Sequence, residues 1–329
     1  MSFHSAIYGL RVHLSHRVPG LSFSNLHSPA PDIQVDFGAL PSWLDAEQAT
    51  KQVWFVRPGE QPGAAPRLIV WRLRNGFHLR YADGTQFVVD NAGTRVWANW
   101  PTDTLTLEDT ATYLLGPVMG FVLLLRGYIS LHACAVAVED RAIALVGPAG
   151  SGKSTTAAAF AERGYAILAE DVVTLQDRGA EFLVQPGYPS IRLWPSSVEA
   201  LYGTAATLPR LTPTWDKCYL DLTQEQYEFQ QQPLPLSAIY LLGEREDDPA
   251  PSLCELVPTE RLMSLVANTY ATYLMDKKMR AREFEILGRV IKSVPIRKVT
   301  PHSDPARIGE LCQTIIEDFG CIASQPMER

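Results

Sequence analysis

The chain has 329 residues, 29 of them basic and 36 acidic, for a net charge of −7. That length allows two domains or one large one, and the acidic balance argues against a surface built to coat nucleic acid. Apolar residues make up 46 % of the chain, enough for a large buried core.

The five cysteines, at 134, 218, 254, 312 and 321, are odd in number, and none are spaced like a zinc or redox motif. They read as reduced thiols of a cytoplasmic protein. The opening Met1-Ser-Phe-His-Ser lacks the basic-then-apolar order of a signal peptide. The longest apolar stretch, Tyr113 to Leu125, is interrupted by Gly116, Pro117 and Gly120. It is too short to span a bilayer, so no membrane partner is expected.

Residues 1–105 read as an N-terminal β-rich domain. Leu10 to Leu14 and Ile33 to Phe37 alternate apolar with polar residues, as half-buried strands do. Phe77 to Tyr81, Thr85 to Val89 and Thr94 to Trp97 follow as a meander. They are parted by Ala82-Asp83-Gly84 and Asn91-Ala92-Gly93, which have hairpin-turn composition. A second domain is expected over 106–329. Thr106-Leu-Glu-Asp109 marks a helix start with acidic residues in its first turn. The helix runs toward Arg126, apolar nearly all round and hence buried, with Pro117 kinking or interrupting it.

Ile129 to Val138 and Arg141 to Val146 read as strands. After the second comes Gly147-Pro148-Ala149-Gly150-Ser151-Gly152-Lys153-Ser154, which fits the phosphate-binding pattern G-x-x-x-x-G-K-[ST]. Its glycines let the backbone wrap an anion and turn N–H groups inward. Lys153 reaches the β- and γ-phosphates, the Ser154 hydroxyl ligates Mg²⁺, and Thr155 completes the nucleotide-binding run. Lys153 to Arg163 is an Ala-rich helix stopped by Gly164. Its positive end points at the same phosphates.

Tyr165 to Ala169 reads as a buried strand ending at Glu170-Asp171. In an open parallel sheet ligands gather at the carboxyl ends of strands. Both carboxylates are therefore expected near the phosphates, as candidate metal ligands with Ser154. Arg192, in Tyr188 to Trp194, and Lys217, in Asp216 to Asp221, either complete a phosphate clamp or form surface salt bridges. Ala238 to Leu242 reads as a strand. Thr259 to Lys278 and Ser303 to Phe319 read as helices, the second entered through Asp304-Pro305 and closed on Gly320. Asp318-Phe319-Gly320 spells the magnesium triplet of protein kinases, but no H-R-D or A-P-E motif accompanies it.

From about His132 to Leu175 the chain resembles the HPr serine kinase/phosphorylase family, which shares its core with ATP-dependent phosphoenolpyruvate carboxykinases. His132, in Leu131-His-Ala-Cys-Ala-Val136, lies fifteen positions ahead of the first loop glycine, and Asp171 lies eighteen beyond Lys153. Both match the family spacing. The resemblance implies that Asp171 is the general base toward an acceptor hydroxyl and that His132 lines the active site. It also implies that Lys153 and Ser154 hold the phosphates and Mg²⁺. Glu170 stands where the family usually has Asp, and Val184-Gln-Pro-Gly187 lacks the family's further metal-binding glutamate. Lys217 corresponds to a family arginine. Leu115-Gly116-Pro117, Arg126-Gly127 and Pro186-Gly187-Tyr188-Pro189 give the layout a likeness to the lasso-peptide precursor kinases of this family.

The sequence thus leads to an α/β fold, a P-loop kinase domain of the HPr kinase/phosphoenolpyruvate carboxykinase type with an N-terminal β-rich domain. It would use ATP and Mg²⁺ to phosphorylate a serine of a precursor peptide, with no nucleic acid or membrane as partner. Homo-oligomerisation stays open. Two other readings are kept: a small-molecule kinase of the gluconate or adenylylsulfate type, and a nucleotide-dependent switch or binding module.

Overall fold

The structure is a computed structural model and describes residues 3–23, 30–61, 63–248 and 250–324. It is a mixed α/β protein that divides into two compact units.

The first unit runs to Tyr128 and takes in 212–214 and 271–276. Its strands are β1 (Phe3–Ile7), β2 (Leu10–Leu14), β3 (Ile33–Phe37), β4 (Gln52–Arg57), β5 (Leu68–Arg72), β6 (Gly76–Tyr81), β7 (Gln86–Asp90) and β8 (Arg95–Asn99), with α1 (Trp43–Glu47) between β3 and β4. They form one sheet in the order β1-β2-β3-β8-β7-β6-β5-β4. Alternation builds it: Leu10, Val12 and Leu14 are buried while Arg11 is exposed. The sequence missed β1, β4 and β5, which carry no clean alternation of their own.

The buried helical stretch begins at Thr106. The Thr106 N–H donates to Asp109 Oδ2 at 2.9 Å, and Thr106 Oγ1 accepts from the Asp109 N–H at 3.4 Å, a reciprocal cap. Helices α2 (Leu107–Tyr113) and α3 (Met119–Leu125) are joined by a wider π turn, Leu114–Val118, at Pro117. Proline has no N–H to continue the ladder, so the interruption falls where the sequence put it. Measured from Leu107, the stretch is 19 residues and is long and apolar enough to cross a membrane; 78 % of its most apolar window is buried inside the fold. Counting from Tyr113 left out its polar first turns. The expected domain boundary after residue 105 falls instead after Tyr128. The reason is packing: Phe121 meets Phe77 of the first sheet edge-on, with ring centres 4.8 Å apart.

The second unit contains β9 (Ile129–Val138), β10 (Arg141–Val146), α4 (Lys153–Ala161), β11 (Ile167–Ala169), β12 (Val172–Asp177), β13 (Phe182–Val184), β14 (Ser190–Leu193) and α5 (Pro195–Tyr202). These are followed by β15 (Cys218–Asp221), β16 (Leu234–Leu242), β17 (Ser252–Glu255), α6 (Pro258–Ala267), α7 (Lys277–Ser293), β18 (Ile296–Thr300) and α8 (Ile308–Ser324). The main sheet runs β10-β9-β12-β13-β16-β18-β17; β16 also pairs with β10, and β11 pairs with β9. Its β10–β16 and β16–β18 pairs are parallel, whereas β9 is antiparallel to β10, β11 and β12. The sheet is therefore mixed, not the open parallel sheet expected. Both faces are covered, which accounts for the near-continuous apolar runs. Cys134, Val136 and Val138 face a core shared with α4 and α8, while Ala133, Ala135 and Ala137 face one shared with α6 and α7.

Two helix expectations fail locally. The helix expected over Thr259 to Lys278 stops at Ala267. There β9 claims the backbone: the His132 N–H donates to the Asn268 carbonyl at 2.7 Å, and the Tyr270 N–H to the Ser130 carbonyl at 2.7 Å. Helix α8 runs on through Gly320 to Ser324 instead of closing there. Its packed face, Leu311, Cys312, Ile315 and Phe319, continues past the point where glycine would have ended it.

Thr106→Ala removes a hydroxyl cap and is expected to lower stability by about 1 kcal/mol. Thr106→Ser should retain most of it. Urea denaturation of the two variants checks this; equal losses would remove the cap from the account.

Candidate active site

The glycine-rich stretch forms the turn between β10 and α4. Gly150 and Gly152 have φ of +84° and +96°, a region costly for side-chain-bearing residues. At Gly147 a Cβ would lie 2.8 Å from Ser151 Oγ and 3.0 Å from the Leu242 carbonyl. The backbone thus folds as tightly as an anion cradle requires. The Ser151 hydroxyl is buried here without a hydrogen-bond partner.

Lys153 is 6 % exposed. Its ammonium donates to the carbonyls of Gly147 at 2.8 Å and Pro148 at 2.9 Å. Burial pushes its pKa below the ordinary lysine range, which makes a nearby anion favourable. The Thr155 hydroxyl donates to Ser197 Oγ at 2.9 Å. A cavity of about 180 Å³ lies beside the loop, lined among others by Ser151, Gly152, Thr155, Ser197, Arg245 and Arg307.

Loop and carboxylates are joined by a continuous chain of hydrogen bonds. Ser154 Oγ donates to Glu170 Oε1 at 2.9 Å. The Arg192 guanidinium donates through Nε to Glu170 Oε2 at 3.2 Å and through Nη2 to Asp171 Oδ2 at 2.8 Å. Arg192 comes from β14, paired with β15, and its side chain is 9 % exposed. His132 Nδ1 lies 3.1 Å from Asp171 Oδ1, and the Tyr270 hydroxyl donates to Asp171 Oδ2 at 2.9 Å. Burial would raise the Asp171 pKa. Arg192, then His132 and Tyr270, outweigh it and hold the carboxyl well below the usual range. Beneath the pair, burial and the Glu170 charge push the Cys134 thiol up.

The backbone makes this possible. Asp171 has φ +68°, and the Val172 N–H donates to the Glu170 carbonyl at 2.8 Å, closing a three-residue turn. In an extended strand consecutive side chains point to opposite faces. Here the tight turn lets Glu170 and Asp171 meet the same guanidinium. Non-glycine residues in this conformation are uncommon and gather at functional sites.

The structure thus brings together Lys153, Ser154, Glu170, Asp171, His132 and Arg192. Lys217 is half-buried, and its ammonium stands 5.0 Å over the Trp194 ring. Arg192, expected at the phosphates or in a surface salt bridge, is instead buried on the two carboxylates. Sequence reasoning missed Tyr270, because its segment read as helix, and missed Arg245 and Ser197, which no motif marks.

The donor set suits Mg²⁺. Ser154 and Glu170 present hard oxygens beside the loop, and Mg²⁺ commonly takes one or two carboxylates with substrate phosphates completing its shell. Among the described residues no group of three or more His, Cys, Asp or Glu gathers as an all-protein metal site. All five cysteines are free.

No protein-family model matches the chain, and no curated protein does. Among solved structures it is similar to the HPr(Ser) kinase/phosphatase from Coxiella burnetii. The identity is 12 %, the TM-score 0.33, and the match covers 57 % of this chain and 95 % of that one. A likeness this distant leaves the site to rest on its own geometry.

Arg192→Met strands two neighbouring carboxylates in a buried site and is expected to destabilise the protein by about 3–5 kcal/mol near neutrality. The sign with pH follows from the depressed Asp171 pKa. Its stabilisation is present above the unfolded value of about 3.9 and is lost as pH falls. Protonation relieves the variant, so the gap from wild type should narrow below about pH 4. Denaturation across that range checks this; a gap independent of pH would contradict the ion-pair assignment.

Proposed function

We propose that the second unit is a kinase using ATP and Mg²⁺ to phosphorylate a serine hydroxyl of a peptide, the C-terminal serine of a lasso-peptide precursor. One observation carries the proposal: an ionised, oriented Asp171 is linked by hydrogen bonds through Arg192, Glu170 and Ser154 to a phosphate-type loop.

The roles follow from chemistry. Loop N–H groups, the α4 N-terminus and Lys153 hold the phosphates of ATP. Ser154 and Glu170 would hold Mg²⁺, which would neutralise the charge developing on the transferred phosphoryl group. The acceptor oxygen attacks the γ-phosphorus, the bond to ADP breaks, and the proton passes to an Asp171 oxygen. A low pKa suits this step, since phosphoryl transfer through a loose transition state needs the proton removed late. Arg192, His132 and Tyr270 orient the carboxylate. The cavity bounded by Arg245 and Arg307 takes the nucleoside end. Lys217, close enough for its charge to act on Lys153, is suited to the terminal carboxylate of the peptide. The use of ATP suits a cytoplasmic reaction.

Lys153→Ala is expected to abolish transfer in a chain that keeps its circular-dichroism spectrum; near-wild-type turnover would remove the loop from the mechanism. Asp171→Asn should keep ATP affinity within several-fold and lower turnover by about 10² or more. Near-normal turnover would move the base role to Glu170. A peptide ending in serine should be labelled, its Ser→Ala form should not, and a C-terminal amide should be a weaker acceptor. Efficient phosphorylation of a free sugar instead would overturn the peptide reading.

A further inference from the structure

The β4 strand, Gln52–Arg57, ends the first unit's sheet and pairs with β5 on one side. Its other side carries no strand among the described residues. Edges of this kind are usually guarded by charge or proline, because unpaired N–H and C=O groups recruit further strands. The interior of β4, Val53-Trp54-Phe55-Val56, contains neither; its one irregularity is a bulge between Val53 and Phe55. Val53, Trp54 and Val56 are 63 %, 38 % and 43 % exposed. They supply three of the seven large apolar side chains exposed among the described residues. Such clustering marks contact surfaces.

Cations stand at both ends of this strand, Lys51 before it and Arg57 at its close. Lys51, Arg57 and Arg72 stand over the rings of Trp71, Tyr273 and Phe77 at 4.4, 4.9 and 4.2 Å. None of the three is ion-paired with a carboxylate among the described residues. The rings fix their positions and leave their charge uncompensated.

We propose that β4 is a docking edge for an extended acidic peptide, which adds to the sheet as a further strand and sets its carboxylates against Lys51 and Arg57. Main-chain hydrogen bonds provide the attachment, and the exposed valines and cations select the side chains. A second copy of the chain is the wrong partner. Antiparallel pairing of two β4 edges would bring Lys51 and Arg57 of one copy against Arg57 and Lys51 of the other, and like charges in register are unfavourable. The inference gives the peptide acceptor of the preceding section its docking strand and rests on that reading.

The test is fluorescence anisotropy on the full chain without ATP, using a labelled peptide of about ten residues, a strand's length, that alternates valine with glutamate. The peptide should bind, and its valine–lysine counterpart should bind at least about tenfold more weakly. Methylating alternate backbone nitrogens should weaken it similarly. Val53→Glu with Val56→Glu should lose about tenfold in affinity while the melting curve stays unchanged. Lys153→Ala should bind the peptide like wild type, which separates failure of this edge from failure of the phosphate loop. Equal binding of both peptides, or insensitivity to methylation, would overturn the proposal. A dimer that Val56→Glu dissolves would overturn it in favour of a second copy.

Discussion

The Arg192 guanidinium, spanning Glu170 and Asp171, is the interaction on which the site depends. Two consecutive carboxylates cannot both stay ionised in a buried site without a cation between them. One face of Glu170 also receives the Ser154 hydroxyl, so the same pair links the loop to Asp171. The arrangement requires Asp171 in the left-handed region, a conformation that costs of order 1–3 kcal/mol and persists only where its surroundings enforce it. Arg192, Tyr270, His132 and the Val172 N–H supply that enforcement. Arg192 is thus a positioning residue; its donors are taken by carboxylates before any phosphate arrives.

The electrostatics of the loop complement this. Lys153 is buried with its ammonium on two backbone carbonyls, and desolvation weakens its hold on its proton. A phosphate there would restore the charge balance that burial removes. Positive loop and negative pair stand as separate poles, joined by a neutral hydroxyl.

The local machinery was legible in the sequence because it is encoded by spacing. Strand, glycine turn and Ala-rich helix around Gly147 to Thr155 need only short-range rules, and the cap at Thr106 and the break at Pro117 follow from one residue's chemistry each. Long-range pairing was not legible. The sheet's mixed direction depends on which strands meet, and periodicity does not record that. Tyr270 was hidden because β9 draws residues 268–270 out of a helical pattern by backbone hydrogen bonds, a tertiary contact that overrides propensity. Arg192 reads from sequence as a cation of undecided role; its carboxylate partners depend on the turn at Asp171, which no local pattern records. The domain boundary slipped for a similar reason, since an all-round apolar helix tells that it is buried but not in which core.

The central claim, that a phosphoryl group passes from ATP held by this loop to a hydroxyl facing Asp171, is tested most directly by following the γ-phosphate. Enzyme, Mg²⁺, γ-labelled ATP and a serine-ended peptide are mixed, quenched within one turnover, and the label is located by mass spectrometry. The account predicts label on the terminal serine, formed only when peptide is present. Label found solely as inorganic phosphate, at the same rate with or without peptide, would contradict it.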